Sequence, residues 1–484
     1  MRLIFLGWSG KDLGMLEVPE KLKEQGHEIV YWTGLSSELE VVRPKFPNTI
    51  FQSHLDASFA IPPKELADND FLPPGQDLLN KLSETESLVL TMMNKRFEHL
   101  SVSERKNFYY HLIQYWNGVL EKFQPDALVF PVDPHTVYDF VAYGLAKLAG
   151  IKTINFMLTR ISDRILLMSD FKTGNPDLRR AMENNQKKNF SITDLSKDLQ
   201  DYYNNQIKHK TKLFLADIKY QKKQYTFLNV FKIKLLAFLG MIRRRTWLRD
   251  ISAFFKNRIG DTPQKEYSRH QIDPDWSKKY IYVALNYQPE ATSSPLGGIF
   301  VDQLLMLEVL AASLPNDWHL YVKEHPLQWQ IRGHSYSHYR YPGYYTEISK
   351  LKNTYLVPLS ANTYDLIDNA QAVACVNGTA GWEAILRSKP SLVFGYSWYR
   401  NCPGVFEIDG AASCKKAMEK IKSGILKNSH QDIINYLAAF EKVSIRAYTD
   451  EYLREAVKIS ISESVQNYVE AISAVLWAQS NRKE

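Results

Sequence analysis

The feature that most constrains the fold of this chain is a pair of polar motifs, each placed directly after a short apolar segment. The first motif, Lys323-Glu324-His325-Pro326, follows the segment 319–322. The second motif, Asn377-Gly378-Thr379-Ala380-Gly381, follows the segment 372–375 and opens a helix pattern. Such motifs converge when both segments are parallel strands of one sheet, because parallel strands end at the same edge. We therefore expect the functional site at this carboxyl edge, where α/β proteins bind nucleotides.

The second motif has the composition of an anion-binding turn. Gly378 and Gly381 allow close backbone approach, and Thr379 offers a hydroxyl at an N-cap position. A helix beginning near Ala380 would direct unpaired N–H groups at a phosphate or carboxylate. Glu383, in the first turn, is either a ligand of ribose hydroxyls or a favourable charge at the helix N-terminus. Taken alone, the motif also fits an ordinary strand-to-helix turn.

His325 is the candidate functional histidine of the first motif. Pro326 fixes the backbone that follows it, and Lys323 lies two residues earlier on the same strand face. An imidazole and an ammonium directed at one point suit a diphosphate or a nucleoside monophosphate leaving group. A structural role is the alternative interpretation of His325 considered by itself.

Length and composition fit a soluble enzyme with more than one domain. The chain has 484 residues, of which 45% are hydrophobic, enough for two cores of ordinary size. The apolar run Leu3 to Leu6 is too short for a signal peptide. Three cysteines without metal-ligand spacing predict reduced thiols in the cytoplasm. The Asp-x-Asp strings at 68–70 and 273–275 lie among loop residues and are interpreted as chance, so no metal is expected.

Positive charge is concentrated in one segment, residues 207–258. Fourteen Lys and Arg lie there against two acids, Asp217 and Asp250, although the whole chain carries only +7. Its longest apolar run, 235–242, is too short to span a bilayer. A basic, aromatic-rich helical segment can lie on an anionic membrane surface, which predicts a peripheral protein on the inner face of the cytoplasmic membrane. A packed helical insert is the main alternative, and no nucleic-acid module accompanies the segment.

The N-terminal region reads as a Rossmann-like unit that opens with a βαβ pattern. Its first loop, residues 7–14, lacks the dinucleotide-binding glycine pattern, so we infer no NAD or FAD and expect no cofactor. Polar residues after its strands are candidates for holding an acceptor or acting as a base, with helix caps and surface ion pairs as alternatives. These residues are Lys11, Asp12, His135, Asp139, Arg160 and Arg164.

A second α/β unit starts at Tyr280. The polar loop from Asn286 to Gly298 is long for a connector, and Glu290 is its one carboxylate, which makes Glu290 the candidate catalytic acid or base. The predicted fold class is α/β and GT-B-like, with two Rossmann-like domains facing a cleft, a basic helical insert and a C-terminal crossing helix. The predicted divisions are an acceptor domain 1–170, the insert 171–275, a nucleotide-sugar domain 276–440 and a returning helix 441–484.

These motifs resemble the bacterial capsule polysaccharide biosynthesis proteins, a family that includes Kdo transferases. The resemblance rests on residues 282–298, 322–326, 377–384 and 392–399 and covers roughly residues 280–404. It implies a GT-B fold in which the His-Pro pair and the small-residue turn hold the nucleotide of an activated sugar, which gives that role to His325, Gly378 and Thr379. The full candidate donor site comprises Gln288, Lys323, His325, Pro326, Asn377, Gly378, Thr379, Ala380, Gly381 and Glu383.

One departure from the family pattern affects the expected chemistry. The Kdo transferases carry consecutive acids after their Gln-x-Glu element, whereas Ala291 and Thr292 follow Glu290 here. The expectation is metal-independent transfer of a sugar from a nucleotide donor, with CMP-Kdo tested first, to a lipid-linked or polysaccharide acceptor. The alternatives are a polyol-phosphate transferase, a UDP-sugar 2-epimerase and a non-catalytic capsule assembly or export protein.

Overall fold

The computed structural model describes residues 1–185, 188–208, 235, 262–288, 290–329, 340–424, 429–456 and 459–483. Most of the basic segment 207–258 lies outside the described residues, so its contact with a membrane stays a prediction. The chain divides into two compact units. The first unit comprises residues 1–188, 193–202 and 437–484, and the second comprises residues 189–192 and 203–436.

The first unit is built on a sheet in which seven described strands run in the order β13-β6-β5-β4-β1-β2-β3. Strands β1 to β5 pair in parallel, whereas β6 pairs antiparallel with both β5 and β13. The strands are β1 (Arg2–Phe5), β2 (Glu28–Gly34), β3 (Ile50–Ser53), β4 (Ala127–Val129), β5 (Lys152–Ile161), β6 (Arg164–Met168) and β13 (Ile445–Arg446).

The helices of the first unit connect these strands and follow them. In chain order they are α1 (Glu17–Glu24), α2 (Ser36–Val42), α3 (His54–Ser58), α4 (Gln76–Lys81), α5 (Ser83–Met92), α6 (Val102–Phe123), α7 (Val137–Leu148), α8 (Pro176–Asn185) and α9 (Lys197–Ile207), and later α16 (His430–Val443), α17 (Glu451–Ala456) and α18 (Ile461–Lys483). Helix α6 starts at a capping box, in which Ser101 N–H donates to Glu104 Oε2 at 2.8 Å. The returning helix that the sequence predicted over 441–484 is divided, because α17 and α18 are separate helices within that range.

The C-terminal helix α18 packs on the first unit, as the sequence predicted. The rings of Trp8 and Tyr468 lie 5.8 Å apart, and Lys152 Nζ donates to the carbonyl oxygen of Val475 at 3.0 Å. Both contacts join the end of the chain to the β1 and β5 side of the first sheet. The unit is therefore discontinuous in sequence.

The second unit contains a parallel sheet in the order β12-β11-β10-β7-β8-β9. Its described strands are β7 (Lys279–Ala284), β8 (Trp318–Lys323), β9 (Thr354–Leu356), β10 (Ala372–Cys375), β11 (Ser391–Val393) and β12 (Val405–Glu407). Its helices are α10 (Pro263–His270), α11 (Gln303–Ser313), α12 (Tyr344–Lys350), α13 (Thr363–Asn369), α14 (Thr379–Leu386) and α15 (Ala411–Ser423). Apolar clusters cover both faces of the sheet, as continuous apolar strands require.

In each sheet the strand order reverses at one point. The reversal lies between β1 and β4 in the first unit and between β7 and β10 in the second. Doubly wound folds bind ligands at the carboxyl edge of the sheet beside such a reversal. The predicted class, α/β with two Rossmann-like units, is therefore confirmed.

Candidate functional site

Three loops meet at the carboxyl edge of the second sheet, after β7, β8 and β10. Asn286 follows β7 and donates through Nδ2 to Oδ1 of Asn377, which follows β10, at 2.8 Å. Gln303 on α11 holds Asn286 in place, because it accepts from the Asn286 N–H at 2.7 Å and donates to the Asn286 carbonyl at 3.1 Å. The bond between the two asparagines therefore bridges the point of strand reversal directly.

The loops after β7 and β8 are joined by a reciprocal pair of hydrogen bonds. Gln288 N–H donates to Gln328 Oε1, and Gln328 Nε2 donates to the Gln288 carbonyl, both at 3.0 Å. The rings of Tyr287 and His325 lie 5.6 Å apart. The Leu327 N–H donates to His325 Nδ1 at 3.2 Å, so a neutral His325 carries its proton on Nε2. His325 is half-buried and presents this N–H as a donor.

A buried ion pair lies beneath both loops. Arg340 donates from Nε to Glu324 Oε2 at 2.7 Å and from one terminal nitrogen to Oε1 at 3.0 Å, and the two side chains are 2% and 0% exposed. Glu324 also accepts a hydrogen bond from the backbone N–H of His325 at 2.6 Å and one from the Tyr345 hydroxyl at 2.7 Å. Although burial alone would lower it, the adjoining Glu324 carboxylate raises the pKa of Arg340 above its ordinary value.

Arg340 connects this ion pair to the loop after β7. Its terminal nitrogens donate to Gln288 Oε1 and to the carbonyl oxygen of Asn286, the latter at 3.2 Å. One guanidinium thus fixes the positions of Asn286, Gln288 and, through Glu324, His325. Sequence reasoning missed Arg340, because it lies in no motif and only the fold brings it beside Glu324.

The turn at the start of α14 has the backbone geometry of an open helix N-terminus. Gly378 is the N-cap residue, with φ −68° and ψ 163°, and no side chain caps the helix. The Tyr399 hydroxyl fixes the turn by donating to the Gly378 carbonyl at 2.6 Å. The predicted N-cap role of Thr379 is wrong: Thr379 already has helical geometry as the first residue of α14, and its side chain is exposed.

The two glycines of this turn serve different close contacts. A Cβ on Gly378 would lie 3.3 Å from Asn286 Oδ1. A Cβ on Gly381 would lie 2.5 Å from the Tyr399 hydroxyl and 2.6 Å from Ser391 Oγ. Gly378 thus permits the approach of Asn286, and Gly381 permits α14 to pack against the adjacent strand. Both close contacts explain why small residues occupy these positions of the turn.

The remaining donor-site candidates have mixed surroundings. Glu383 is half-buried, and burial raises its pKa to about 7, partly opposed by Arg387. Ala380 is half-buried in the first turn of α14, and Pro326 is exposed after His325. Glu290 is exposed and accepts the Thr292 hydroxyl at 3.0 Å, so its carboxylate is held within its own loop.

Lys323 is placed differently from the sequence expectation that it and His325 are directed at one point. Its ammonium donates to the Ala361 carbonyl at 2.6 Å and to the Thr363 hydroxyl at 3.0 Å, at the start of α13. Burial lowers the pKa of Lys323 to about 8. The amine therefore keeps most of its charge at neutral pH, and its described contacts lie at the start of α13.

Two of the acceptor candidates in the first unit make structural contacts. Arg164 is buried and donates to both carboxylate oxygens of Asp198, at 2.8 and 3.2 Å. Asp139 accepts the Thr136 N–H at 2.8 Å at the start of α7, and burial raises its pKa to about 7. For these two residues the contacts favour the alternative interpretation, an ion pair and a helix cap.

The other acceptor candidates lie nearer the surface. Lys11 and Asp12 are exposed in a short 3-10 turn after β1, and Arg160 is exposed with a left-handed φ of 59°. The half-buried His135 ring places Nδ1 2.8 Å from the Asp133 carbonyl. Sequence reasoning missed His54, although it follows β3 directly and the strand-end rule applied to β4 would have found it.

Other features of the described chain concern metals, thiols and membranes. Among the described residues, no group of three or more His, Cys, Asp or Glu is placed to hold a metal ion. Cys375, Cys402 and Cys414 are buried free thiols. Within the same described ranges, no helix combines the length and the apolar character needed to cross a bilayer.

The two Rossmann-like units define an α/β protein of GT-B-like class. Residues 291–441 match the family model described as "Capsule polysaccharide biosynthesis protein", which confirms the resemblance inferred from the sequence. No curated protein sequence matches the chain.

Two solved structures show what the chain is similar to. One is the Thermosulfurimonas dismutans KpsC, a beta Kdo 2,7 transferase, with 12% identity, coverage of 92% of this chain and 99% of that chain, and a TM-score of 0.35. The other is the UDP-GlcNAc 2-epimerase of Neisseria meningitidis bound to UDP-GlcNAc. It has 13% identity, coverage of 99% and 100%, and a TM-score of 0.25.

Proposed function

We propose that this protein is a glycosyltransferase that moves a sugar from a nucleotide-activated donor to a lipid-linked or polysaccharide acceptor during capsule or surface polysaccharide synthesis. The hydrogen bond between Asn286 and Asn377 carries this proposal, because it joins the loops of β7 and β10 at the point of strand reversal. A nucleotide binds at such a point in doubly wound folds. The family assignment of residues 291–441 supports the role in capsule synthesis.

In this proposal the donor phosphate lies in front of α14. The helix has no side-chain cap, so its first N–H groups and its dipole are available to an anion. His325 presents its Nε2–H to the leaving nucleotide from the neighbouring loop, and Arg340 and Glu324 hold that loop in place. Stabilisation of the developing charge then comes from preorganised N–H groups, which need no metal ion.

The catalytic acid or base in this proposal is Glu290. Its loop includes Gln288, which Arg340 fixes, and its carboxylate is exposed where an acceptor hydroxyl can approach. CMP-Kdo is the first donor to test. The basic segment 207–258 is the proposed contact with an anionic membrane, which liposome binding that weakens as salt rises would support.

Calorimetry with CMP, UDP, GDP and CDP tests the donor site directly. We expect one nucleotide to bind the wild type and to lose about tenfold or more in affinity in His325→Ala, the effect of one charge-assisted hydrogen bond. His319→Ala is the matched control, because His319 lies on β8 near the opposite end of the same strand. That variant should bind like the wild type.

The outcomes separate the candidate functions. CMP binding that is lost in His325→Ala would support a Kdo-type donor, and UDP or GDP binding would keep sugar transfer with another donor. Conversion of a UDP-sugar without any acceptor would indicate an epimerase instead. If no nucleotide binds, the transferase proposal is wrong and a non-catalytic role in capsule assembly replaces it.

A further inference from the structure

A chain of hydrogen bonds runs along the carboxyl edge of the first sheet. The Gly7 N–H, after β1, donates to Thr33 Oγ1 on β2 at 2.6 Å. Thr33 Oγ1 lies 3.0 Å from the Tyr138 hydroxyl on α7, and that hydroxyl lies 3.0 Å from Nδ1 of His54, which follows β3. The chain therefore crosses three strands and ends on an imidazole.

The direction of this chain follows from the buried position of Thr33. Thr33 is fully buried and its oxygen already accepts from Gly7, so its own proton is satisfied when it donates to Tyr138. Tyr138 then donates to His54 Nδ1. The opposite direction would leave the Thr33 proton without an acceptor among the described residues, which is unfavourable in a buried site. His54 Nδ1 is therefore an acceptor, and the neutral ring carries its proton on Nε2.

The charged groups that act on His54 are all cationic. Burial lowers the pKa of His54, and Arg96, His135 and Lys95 add to this effect in that order, so that the pKa falls to about 4. Lys95 and Arg96 come from the exposed turn after α5, and His135 comes from the loop after β4. His54 is thus neutral at neutral pH within a positive field. Among the described residues, Tyr138 is the only hydrogen-bond partner of the His54 ring.

We propose that the carboxyl edge of the first sheet is an anion subsite, in which the His54 Nε2–H donates to a phosphate or carboxylate oxygen and Lys95 and Arg96 supply the attracting charge. Because Tyr138 holds Nδ1, the Nε2 atom is directed away from it and toward a ligand. His54 serves here as a hydrogen-bond donor and not as a base. That the anionic group belongs to the sugar acceptor rests on the proposed function, whereas the binding of the anion does not.

Nitrogen NMR of protein with ¹⁵N-labelled histidine tests the subsite, with inorganic phosphate as the probe. We expect the Nε2–H form of His54 at neutral pH and a saturable shift of its ring signals on adding phosphate. His111, exposed on α6, is the internal reference and should not shift. Tyr138→Phe should produce a mixture of the two neutral forms, because Nδ1 loses its donor.

A charge variant separates the subsite from general attraction of anions. Arg96→Gln should weaken the phosphate-dependent shift of His54 by about tenfold, the loss of one charge-assisted contact. Arg180→Gln is the matched control, since Arg180 lies exposed on α8 and pairs with Asp177. An Nδ1–H form of His54, or His54 signals that do not respond to phosphate, would overturn the proposal.

The acceptor assignment has its own readout once a donor is known. His54→Ala should raise the KM for the acceptor with little change in the KM for the donor, and His54→Gln, which keeps an N–H donor, should recover part of the loss. A phosphate response at His54 without any sugar transfer would preserve the anion subsite and reject the proposed function. Sugar transfer without a phosphate response at His54 would preserve the proposed function and reject the anion subsite.

Discussion

Both sheets reverse their strand order at one point, but the helices that start at the two carboxyl edges are capped differently. Helix α14 of the second unit starts at Gly378 with no side-chain cap, whereas Asp139 caps the start of α7 in the first unit. The N–H groups of α14 are therefore open to an external anion, while a carboxylate of the protein already occupies the start of α7. The same backbone frame thus offers an open helix N-terminus in one unit and a capped one in the other.

The side chains beneath the two edges differ in the same sense. In the second unit the charged pair Arg340 and Glu324 fixes the loops, whereas in the first unit a neutral chain from Thr33 through Tyr138 fixes His54. A charged pair removed from water is costly to break, because each partner leaves the other unpaired. A neutral chain mainly sets the direction of hydrogen bonds. We therefore expect substitutions to affect stability more strongly at the second edge.

The largest effect is expected from Arg340→Met. The substitution leaves Glu324 buried without its counter-ion, which costs about 3–5 kcal/mol in the free energy of unfolding. It also releases Asn286 and Gln288 from the guanidinium, so nucleotide binding should be lost. Urea unfolding and calorimetry on the same sample measure both effects.

The double variant Arg340→Met with Glu324→Gln is the control for the unpaired charge. It should recover part of the lost stability, because no charge then remains buried without a partner. It should not recover nucleotide binding, since the contacts to both loops stay absent. If Arg340→Met is as stable as the wild type, the buried ion pair does not make the second edge more sensitive to substitution than the first.

A second effect concerns the packing of α14. Gly381→Ala places a Cβ 2.5 Å from the Tyr399 hydroxyl and 2.6 Å from Ser391 Oγ, and overpacking of this kind costs about 1–3 kcal/mol. Thermal and urea unfolding measure the loss. Gly75→Ala, at the N-cap of α4 in the first unit, meets no atom within 4 Å and should change stability by less than about 0.5 kcal/mol. Equal effects of the two variants would contradict the packing argument.

The sequence predicted the second edge better than the first. Its motifs are contiguous: His325 and the turn at Gly378 each follow an apolar strand, and the two strands belong to one parallel sheet, as the sequence predicted. The orientation of Lys323 was less predictable, because its neighbours Ala361 and Thr363 lie about forty residues later in the chain. Arg340 left no signal in the sequence, since its importance comes only from burial beside Glu324.

At the first edge the sequence named residues whose contacts are internal. Arg164 and Asp139 match the pattern of polar residues after strands, yet they pair with Asp198 and cap α7. A polar residue at a strand end binds either a ligand or another group of the protein. The protein partner that decides between these roles can be distant in sequence. His54 is the opposite case, a strand-end residue that the sequence analysis did not name. Its partner Tyr138 lies 84 positions away in the chain.

A pH-dependent effect is expected at Asp133 in the first unit. Burial raises the pKa of this carboxyl to about 7, above its ordinary value of 3.8. The folded state therefore binds more protons than the unfolded state between about pH 4 and 7, so stability falls as the pH rises through this window. Asp133→Asn removes the buried charge and should raise stability at pH 7 by about 1–2 kcal/mol while flattening the pH profile.

The matched control for Asp133 is the exposed Asp68. Asp68→Asn should change stability by less than about 0.5 kcal/mol, because its side chain is exposed. Asn155 donates to Asp133 Oδ1, and among the described residues its own Oδ1 has no hydrogen-bond partner, which an amide at position 133 can supply. A loss of stability in Asp133→Asn at pH 7 would show that the carboxylate is required.

The smallest effect is expected from Tyr399→Phe, which tests the turn of the second unit without altering its charge. The variant loses the bond from the Tyr399 hydroxyl to the Gly378 carbonyl, 2.6 Å long, at a cost of about 1 kcal/mol in stability. Because that bond fixes the open start of α14, nucleotide affinity should fall as well. Tyr143→Phe in the first unit loses a comparable bond, to Asp170 at 3.1 Å, and should leave nucleotide affinity unchanged. If both variants weaken nucleotide binding equally, the anion site does not lie at α14.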